Sequence, residues 1–279
     1  MHRALPVACL IVLCEALAFS AVLPVLDTHT LRLGGDARHF GLLMALVSFP
    51  KVIFNPLFGM LSDRFGRRPM LAVATLGTLA GSLGWALSGS LTWLLAARLV
   101  TGIFGAQAGL APAIAADVSP PERRAAAVGL LGAAFGVALA FGPVLGGLVS
   151  HYGDTFAVGW ASASLQALSL VAITLLPETR PPRDRAAHLP SASATARILR
   201  TSGVPLLLAA SLVVTIATSQ VVSTFSPLMT DLYGFADAAK GVGWAVFGVI
   251  GIGVQGGLLR LLVARFRELH PRLQVDVRR

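Results

Sequence analysis

Three charged side chains stand where charge is expensive. Glu15 lies in the middle of an apolar run that begins near residue 5, Lys51 follows Pro50 in the middle of a second run, and Arg98 lies inside a third. A charge at the centre of a bilayer costs at least about 2.5 kcal/mol, so such residues face a protein interior or a wet cavity and mark a path for ions or substrate. Burial favours the protonated form of a carboxyl and a nearby cation favours the ionised form. A carboxyl among cations is therefore equipped to take up and release a proton, which makes Glu15 and Arg98 the proton-coupling candidates. The competing reading of Glu15 is a static ion pair with Arg98 or Lys51. Lys51 and Asn55 are one helical turn apart and share a face, placed to meet an anionic group of a substrate or to neutralise Glu15. Gln107 and Gln220 are candidate hydrogen-bonding groups of a cavity, equally able to join two helices. No histidine is expected inside a membrane helix, so a histidine relay has no support.

These residues need helices to hold them. Apolar residues make up 55% of the 279 and charged residues 13%, against roughly 25% charge in soluble domains. Apolar runs long enough to cross a bilayer fall near residues 5–26, 40–61, 70–89, 92–115, 126–149, 157–177, 204–228 and 240–262. They lack the alternation of a membrane barrel. With every backbone group to be paired inside lipid, the fold class is an all-α membrane protein. The first run is too long for a signal peptide and reads as a retained helix.

The net charge of +9 could signal nucleic acid, but position decides otherwise. With the amino terminus in the cytoplasm, the inner segments hold Arg3; Arg64, Arg67 and Arg68; Arg123 and Arg124; five arginines between 180 and 200; and six between 260 and 279. The outer segments hold only Arg32, Arg38 and Lys240. This split follows the positive-inside rule: a multi-pass protein of a bacterial-type inner (plasma) membrane, both termini cytoplasmic, its partners the lipid bilayer, a small-molecule substrate and protons, with no nucleic acid. No nucleophile elbow, metal-spaced His/Cys set or nucleotide loop occurs, so no enzyme, cofactor or metal is expected. Cys9 and Cys14 point in different directions on one helix and imply no disulfide.

Several local patterns are denser than chance. The turn after the second run reads Gly59-Met-Leu-Ser-Asp63-Arg64-Phe-Gly66-Arg67-Arg68-Pro69. Gly59 admits a neighbouring helix, Asp63 is expected to cap the third helix, Gly66 supplies a residue able to take positive φ, and the arginines hold the turn at an anionic surface. The fourth run carries Leu95, Arg98, Gly102 and Ala106 on one face. The fifth carries the pairs Gly132/Gly136 and Gly142/Gly146, with Pro143 and Gly147; glycines four apart allow close contact and proline bends a helix. The sixth ends Pro177-Glu178-Thr179.

Taken in order, these resemble the signatures of the major facilitator superfamily: G-x-L-x-D-R-x-G-R-R between helices two and three, L-x-x-x-R-x-x-x-G on helix four, the antiporter-type G-P-x-x-G-G on helix five, and P-E-T after helix six. The resemblance covers about residues 5–180 and is nearest the twelve-helix drug:proton antiporters, including tetracycline-resistance exporters. It implies a six-helix amino-terminal bundle of the major facilitator fold, a gating role for the Gly59–Arg68 turn, control of switching by Gly142, Pro143, Gly146 and Gly147, and proton-coupled efflux of a drug. Glu15 resembles the helix-one acid of these antiporters. Lys51 departs from them, since related exporters carry a neutral polar residue nearby.

The rest of the chain is organised around this bundle. Residues 1–177 form the first six helices, the polar Pro-, Ala- and Ser-rich segment 178–203 a cytoplasmic linker, and 204–279 about two helices of an incomplete second bundle with a basic tail. A faint repeat relates 41–67 to 241–267, with Pro227 answering Pro24. Eight helices against the family's twelve read as a truncated or fragmentary transporter. The alternatives are a non-transporting remnant, or a transporter of a metabolite such as a sugar or organic acid.

Overall fold

The computed structural model describes residues 4–179 and 204–253. Its elements are helices throughout: α1 (Ala4–Ala21), α2 (Leu26–Arg32), α3 (Ala37–Phe65), α4 (Arg67–Ala86), α5 (Leu91–Phe104), α6 (Gln107–Asp117), α7 (Arg124–Gly153), α8 (Thr155–Thr174), α9 (Val204–Tyr233) and α10 (Asp237–Gly253). A single 3₁₀ turn (Pro121–Arg123) leads into α7. Seven spans, with α5 and α6 together making one, have the length and apolarity to cross a membrane. The eighth expected helix is α10, described over 17 residues. The tail beyond residue 253 and the linker from residue 180 lie outside the described residues.

Two expected helices are interrupted. The first breaks after Ala21 because Pro24 has no N–H to continue the ladder; the chain turns through Leu23 N–H donating to Ser20 O, then resumes as α2. The fourth breaks at Gly105–Ala106, where Ala106 N–H donates to Phe104 O at 2.7 Å. The Lys51 stem occupies the space beside Gly105, its Cε 2.6 Å from where a Cβ would stand. Pro227 does not answer Pro24 in kind: it sits inside the unbroken α9.

α1 packs on α7 and α8 and touches α6, α7 also packs on α10, α4 joins α5 and α8, and α3 lies on α5. One apolar core joins Ile11, Leu71, Leu110, Ile114 and Leu176; a second joins Val25, Leu26, Leu43, Leu94 and Val158. Without a solvent-driven force between helices in lipid, contact rests on small residues and interhelical hydrogen bonds. Both are present on α1. Ser20 Oγ lies 2.9 Å from Ala138 O of α7, and Ser162 Oγ of α8 donates to Ala18 O at 3.0 Å.

The Gly142–Gly147 stretch of α7 is a three-helix crossing. A side chain at Gly142 would strike Ser20, and one at Gly146 would strike the Ala21 backbone, both on α1. On the other flank a Cβ at Gly147 would stand 2.6 Å from Asp237 O of α10, and one at Gly248 of α10 would stand 2.6 Å from Ala140 Cα. Pro143 is buried in this crossing, its carbonyl against Gly241 of α10. By contrast, nothing among the described residues comes within 4 Å of a Cβ built on Gly132.

Gly146→Leu is expected to force α1 from α7, overpacking the site by about 1–3 kcal/mol or more. The readout is a lower thermal unfolding midpoint, or loss of monodisperse protein, in detergent. Gly132→Leu should leave the midpoint unchanged.

Candidate functional site

A cavity of about 230 Å³ opens between α1 and the helices α3 to α8. Its polar lining includes Glu15, Lys51, Thr78, Arg98, Gln107 and Gln166, and its apolar walls include Val12, Phe19, Val22, Trp85 and Phe135. The structure thus brings together Glu15, Lys51, Arg98 and Gln107. Asn55 does not line the cavity although it follows Lys51 by one turn, and Gln220 is exposed on α9.

The charges do not neutralise one another. Thr78 Oγ1 donates to Glu15 Oε2 at 3.3 Å, and Gln107 Nε2 donates to Thr78 Oγ1 at 3.2 Å. The second oxygen of Glu15 has no hydrogen-bond partner among the described residues. No ion pair joins Glu15 to Lys51 or Arg98, so the expected alternative of a static pair is not what the structure holds. Lys51 Nζ stands over the Phe19 ring, 5.0 Å from its centroid. Arg98 is 5% exposed, its guanidinium 5.5 Å from the Trp85 ring centroid and its Nε without a partner. It faces the bundle interior, and Gly102, one turn further on, lets α5 lie against the Leu46–Val47 backbone of α3.

Trp85 is fixed from behind. Its Nε1 donates to Thr155 O at 3.0 Å, and the His29 ring stacks on it with centroids 4.5 Å apart. His29 falls between the first two apolar runs, and α2 buries it, with Nδ1 2.8 Å from Thr155 Oγ1 and Nε2 2.8 Å from Ser88 Oγ. It lies on α2, beyond the span that ends at Ala21. Burial foremost, then the positive charges of Arg32 and Arg98, lowers its pKa from 6.5 to about 4.

The Gly59–Arg68 turn is built around Arg67 rather than around a cap. α3 continues to Phe65, so Asp63 sits inside that helix and does not cap α4; its carboxylate pairs with Arg67 Nη2 at 2.9 Å. Arg67 also donates to Asp117 at the end of α6 (3.1 Å) and to Ser62 Oγ (2.6 Å). Gly66 takes φ +108°, and the first N–H groups of α4, from Arg67 and Arg68, donate to the Glu178 carboxylate at 2.9 and 3.3 Å. Arg68 Nη2 donates to Thr174 O. Arg64 is exposed, and among the described residues nothing approaches a Cβ on Gly59 within 4 Å.

At the opposite end of the bundle, Lys240 of α10 is wholly buried. Its ammonium lies 2.9 and 3.0 Å from the two oxygens of Asp27 on α2, 2.8 Å from Asp237, 3.0 Å from Thr28 Oγ1 and 3.1 Å from Thr230 Oγ1. Thr28 and Ser150 donate to Asp237, and Thr230 to Asp27. This latch ties α2 and α7 to α9 and α10.

The profile of the Major Facilitator Superfamily matches residues 8–274. The chain belongs to that superfamily. It is 32% identical over 183 residues to the class H tetracycline resistance protein of Pasteurella multocida, covering 64% of this chain and 46% of that protein. It is 36% identical over 154 residues to the class B tetracycline resistance protein of Escherichia coli, covering 54% and 38%. The chain thus spans less than half the length of these relatives. The human organic anion transporter MFSD10 (TETRAN) superposes with a TM-score of 0.73 at 25% identity, covering 91% of this chain and 71% of that one. Among the described residues the fold is accordingly the six-helix amino-terminal bundle of the superfamily followed by two helices of the second.

Sequence reasoning missed His29, Asp27, Asp117 and Thr78. A visible signal existed for one pair: Asp27 and Lys240 are among the few charges of the outer segments. The contacts of His29 and Thr78 join helices distant in sequence and leave no local trace.

Two outcomes follow for this superfamily member. Arg67→Ala should cost about 1–2 kcal/mol, because it removes the bonds of one buried guanidinium to Asp63, Asp117 and Ser62, whereas exposed Arg64→Ala should leave the detergent unfolding midpoint near wild type. For His29 the unfolded chain takes a proton below about pH 6.5 and the folded one only near pH 4. Stability is therefore full above pH 6.5 and falls as pH drops toward 4, by about 3 kcal/mol. His29→Gln should flatten that part of the midpoint-versus-pH curve.

Proposed function

We propose that this chain is a secondary active transporter that exports a small amphipathic, drug-like molecule against proton entry by alternating access. The observation that carries the reading is Glu15: a carboxylate in a membrane-depth cavity, held by a hydroxyl and not by either neighbouring cation. An ion-paired carboxylate is locked in its ionised form, while one held this way is free to exchange a proton. Glu15 carries the proton and Arg98 tunes it. Lys51, Gln107 and the Trp85 and Phe19 rings meet the substrate. The tetracycline resistance relatives support export of a drug.

In this reading the arginine-rich turns face the cytoplasm of a bacterial-type inner membrane, as do both termini. Residues 1–177 and 204–279 belong to two bundles joined by the 178–203 linker. The Gly59–Arg68 turn gates the cytoplasmic end. The Gly142–Gly147 crossing, which touches α1 and α10 at once, relates the two bundles during switching.

The test is transport by the chain in inverted vesicles under an imposed proton gradient, with tetracycline as the first probe. Glu15→Gln should insert normally and lose gradient-driven flux down to the level of empty vesicles. Undiminished flux in that variant would remove Glu15 from the coupling step.

A further inference from the structure

We infer that the cavity is built for an amphipathic organic anion, with its acidic group held between Lys51 and Arg98 and its apolar body against Trp85, Phe19 and Phe135. The inference rests on the reading of this cavity as the substrate site and names the class of molecule it takes.

The argument begins with charge. Lys51, Arg98 and Glu15 line one cavity. With Glu15 ionised the three sum to one positive charge; with Glu15 protonated they sum to two. Neither cation has a carboxylate or a hydrogen-bond acceptor as partner among the described residues; each has only an aromatic ring, at 5.0 Å for Lys51 and 5.5 Å for Arg98. Elsewhere the same chain pairs its buried cations fully: Arg67 meets two carboxylates and Lys240 meets two. A buried, uncompensated cation is costly, and removing that cost is what a counter-charge does. The two cations reach the same cavity from different helices, α3 and α5. One anionic group between them relieves both penalties. Guanidinium offers a planar fork suited to a carboxylate, and ammonium a point charge.

The walls set the rest of the molecule. Beyond its charged groups the lining joins apolar and aromatic side chains to a few neutral polar ones, Thr78, Gln107 and Gln166 among them, and Trp85 is held by its bond to Thr155 O and its stack on His29. A preorganised ring beside paired cations favours a ligand with a flat apolar body and one acid. A permanently cationic ligand meets repulsion from two groups and attraction from one.

The experiment measures binding at equilibrium, with no proton gradient, by calorimetry on the full chain in nanodiscs with protein-free nanodiscs as blank. The probes are naphthalene-2-carboxylate, its neutral isostere naphthalene-2-carboxamide, and a naphthylmethyl trimethylammonium cation. The carboxylate should bind about tenfold or more tightly than the amide, the scale of one desolvated charge contact, and the ammonium weakest. Lys51→Met should erase the preference for acid over amide, Lys51→Arg should keep it, and Arg98→Met should reduce it. Equal affinity for acid and amide, tighter binding of the ammonium, or no saturable binding of the carboxylate overturns the inference. Should Lys51→Met fail to fold, the wild-type acid-to-amide ratio and Lys51→Arg decide alone. Loss of the anion preference leaves proton-driven flux untouched as a separate finding. Conversely, absent flux with the preference intact defeats only the transport reading.

Discussion

A carboxylate and two cations kept apart from one another inside an apolar span form the constraint on which this bundle is arranged. Left to themselves, such groups would pair, and the pair would be inert. The structure keeps them separate by giving each a different weak partner: a threonine hydroxyl for Glu15, the Phe19 ring for Lys51 and the Trp85 ring for Arg98. None of these cancels charge. Each fixes a position and leaves the electrostatics unfinished, which is the condition a site needs if a proton or a ligand is to finish it.

Holding three charges so requires a rigid frame, and the frame is made of very small residues. α1 carries Glu15 and is clamped from two sides. Glycines of α7 admit its backbone near Ser20 and Ala21, and Ser162 of α8 reaches Ala18 O. The break after Ala21 frees the following residues to turn aside as α2, which brings His29 behind Trp85 and Asp27 to Lys240. One proline-induced interruption therefore supplies both the back wall of the cavity and half of the latch.

Much of this was legible in the chain itself. Glu15, Lys51 and Arg98 are conspicuous because charge is rare in apolar runs, and long runs fix helices with little ambiguity. The glycine spacing on α7 also announced close contact. Its partners did not follow from spacing, because which helix lies against Gly146 is a property of the tertiary fold. Local rules failed where a distant group took over a local task. Asp63 has the right chemistry to cap α4, yet Glu178, more than a hundred residues away, accepts those N–H groups instead. Asn55 shared a face with Lys51 on paper, but a face is wider than the cavity mouth. His29 lies outside the apolar runs, and its burial depends on the bend before α2, which hydropathy does not show.

The latch at Lys240 has an asymmetry with a mechanical consequence. Two carboxylates surround one ammonium, and the carboxylate of Asp237 is on the same helix as that ammonium, three residues away. If α2 parts from α10, Lys240 and Asp237 leave together as a neutral couple, giving up the Thr28 hydroxyl but keeping each other. Asp27 stays behind with its negative charge and loses its ammonium and its threonine donor on α9 at one stroke. Parting of the helices thus leaves the uncompensated charge on one surface alone, at Asp27 of α2.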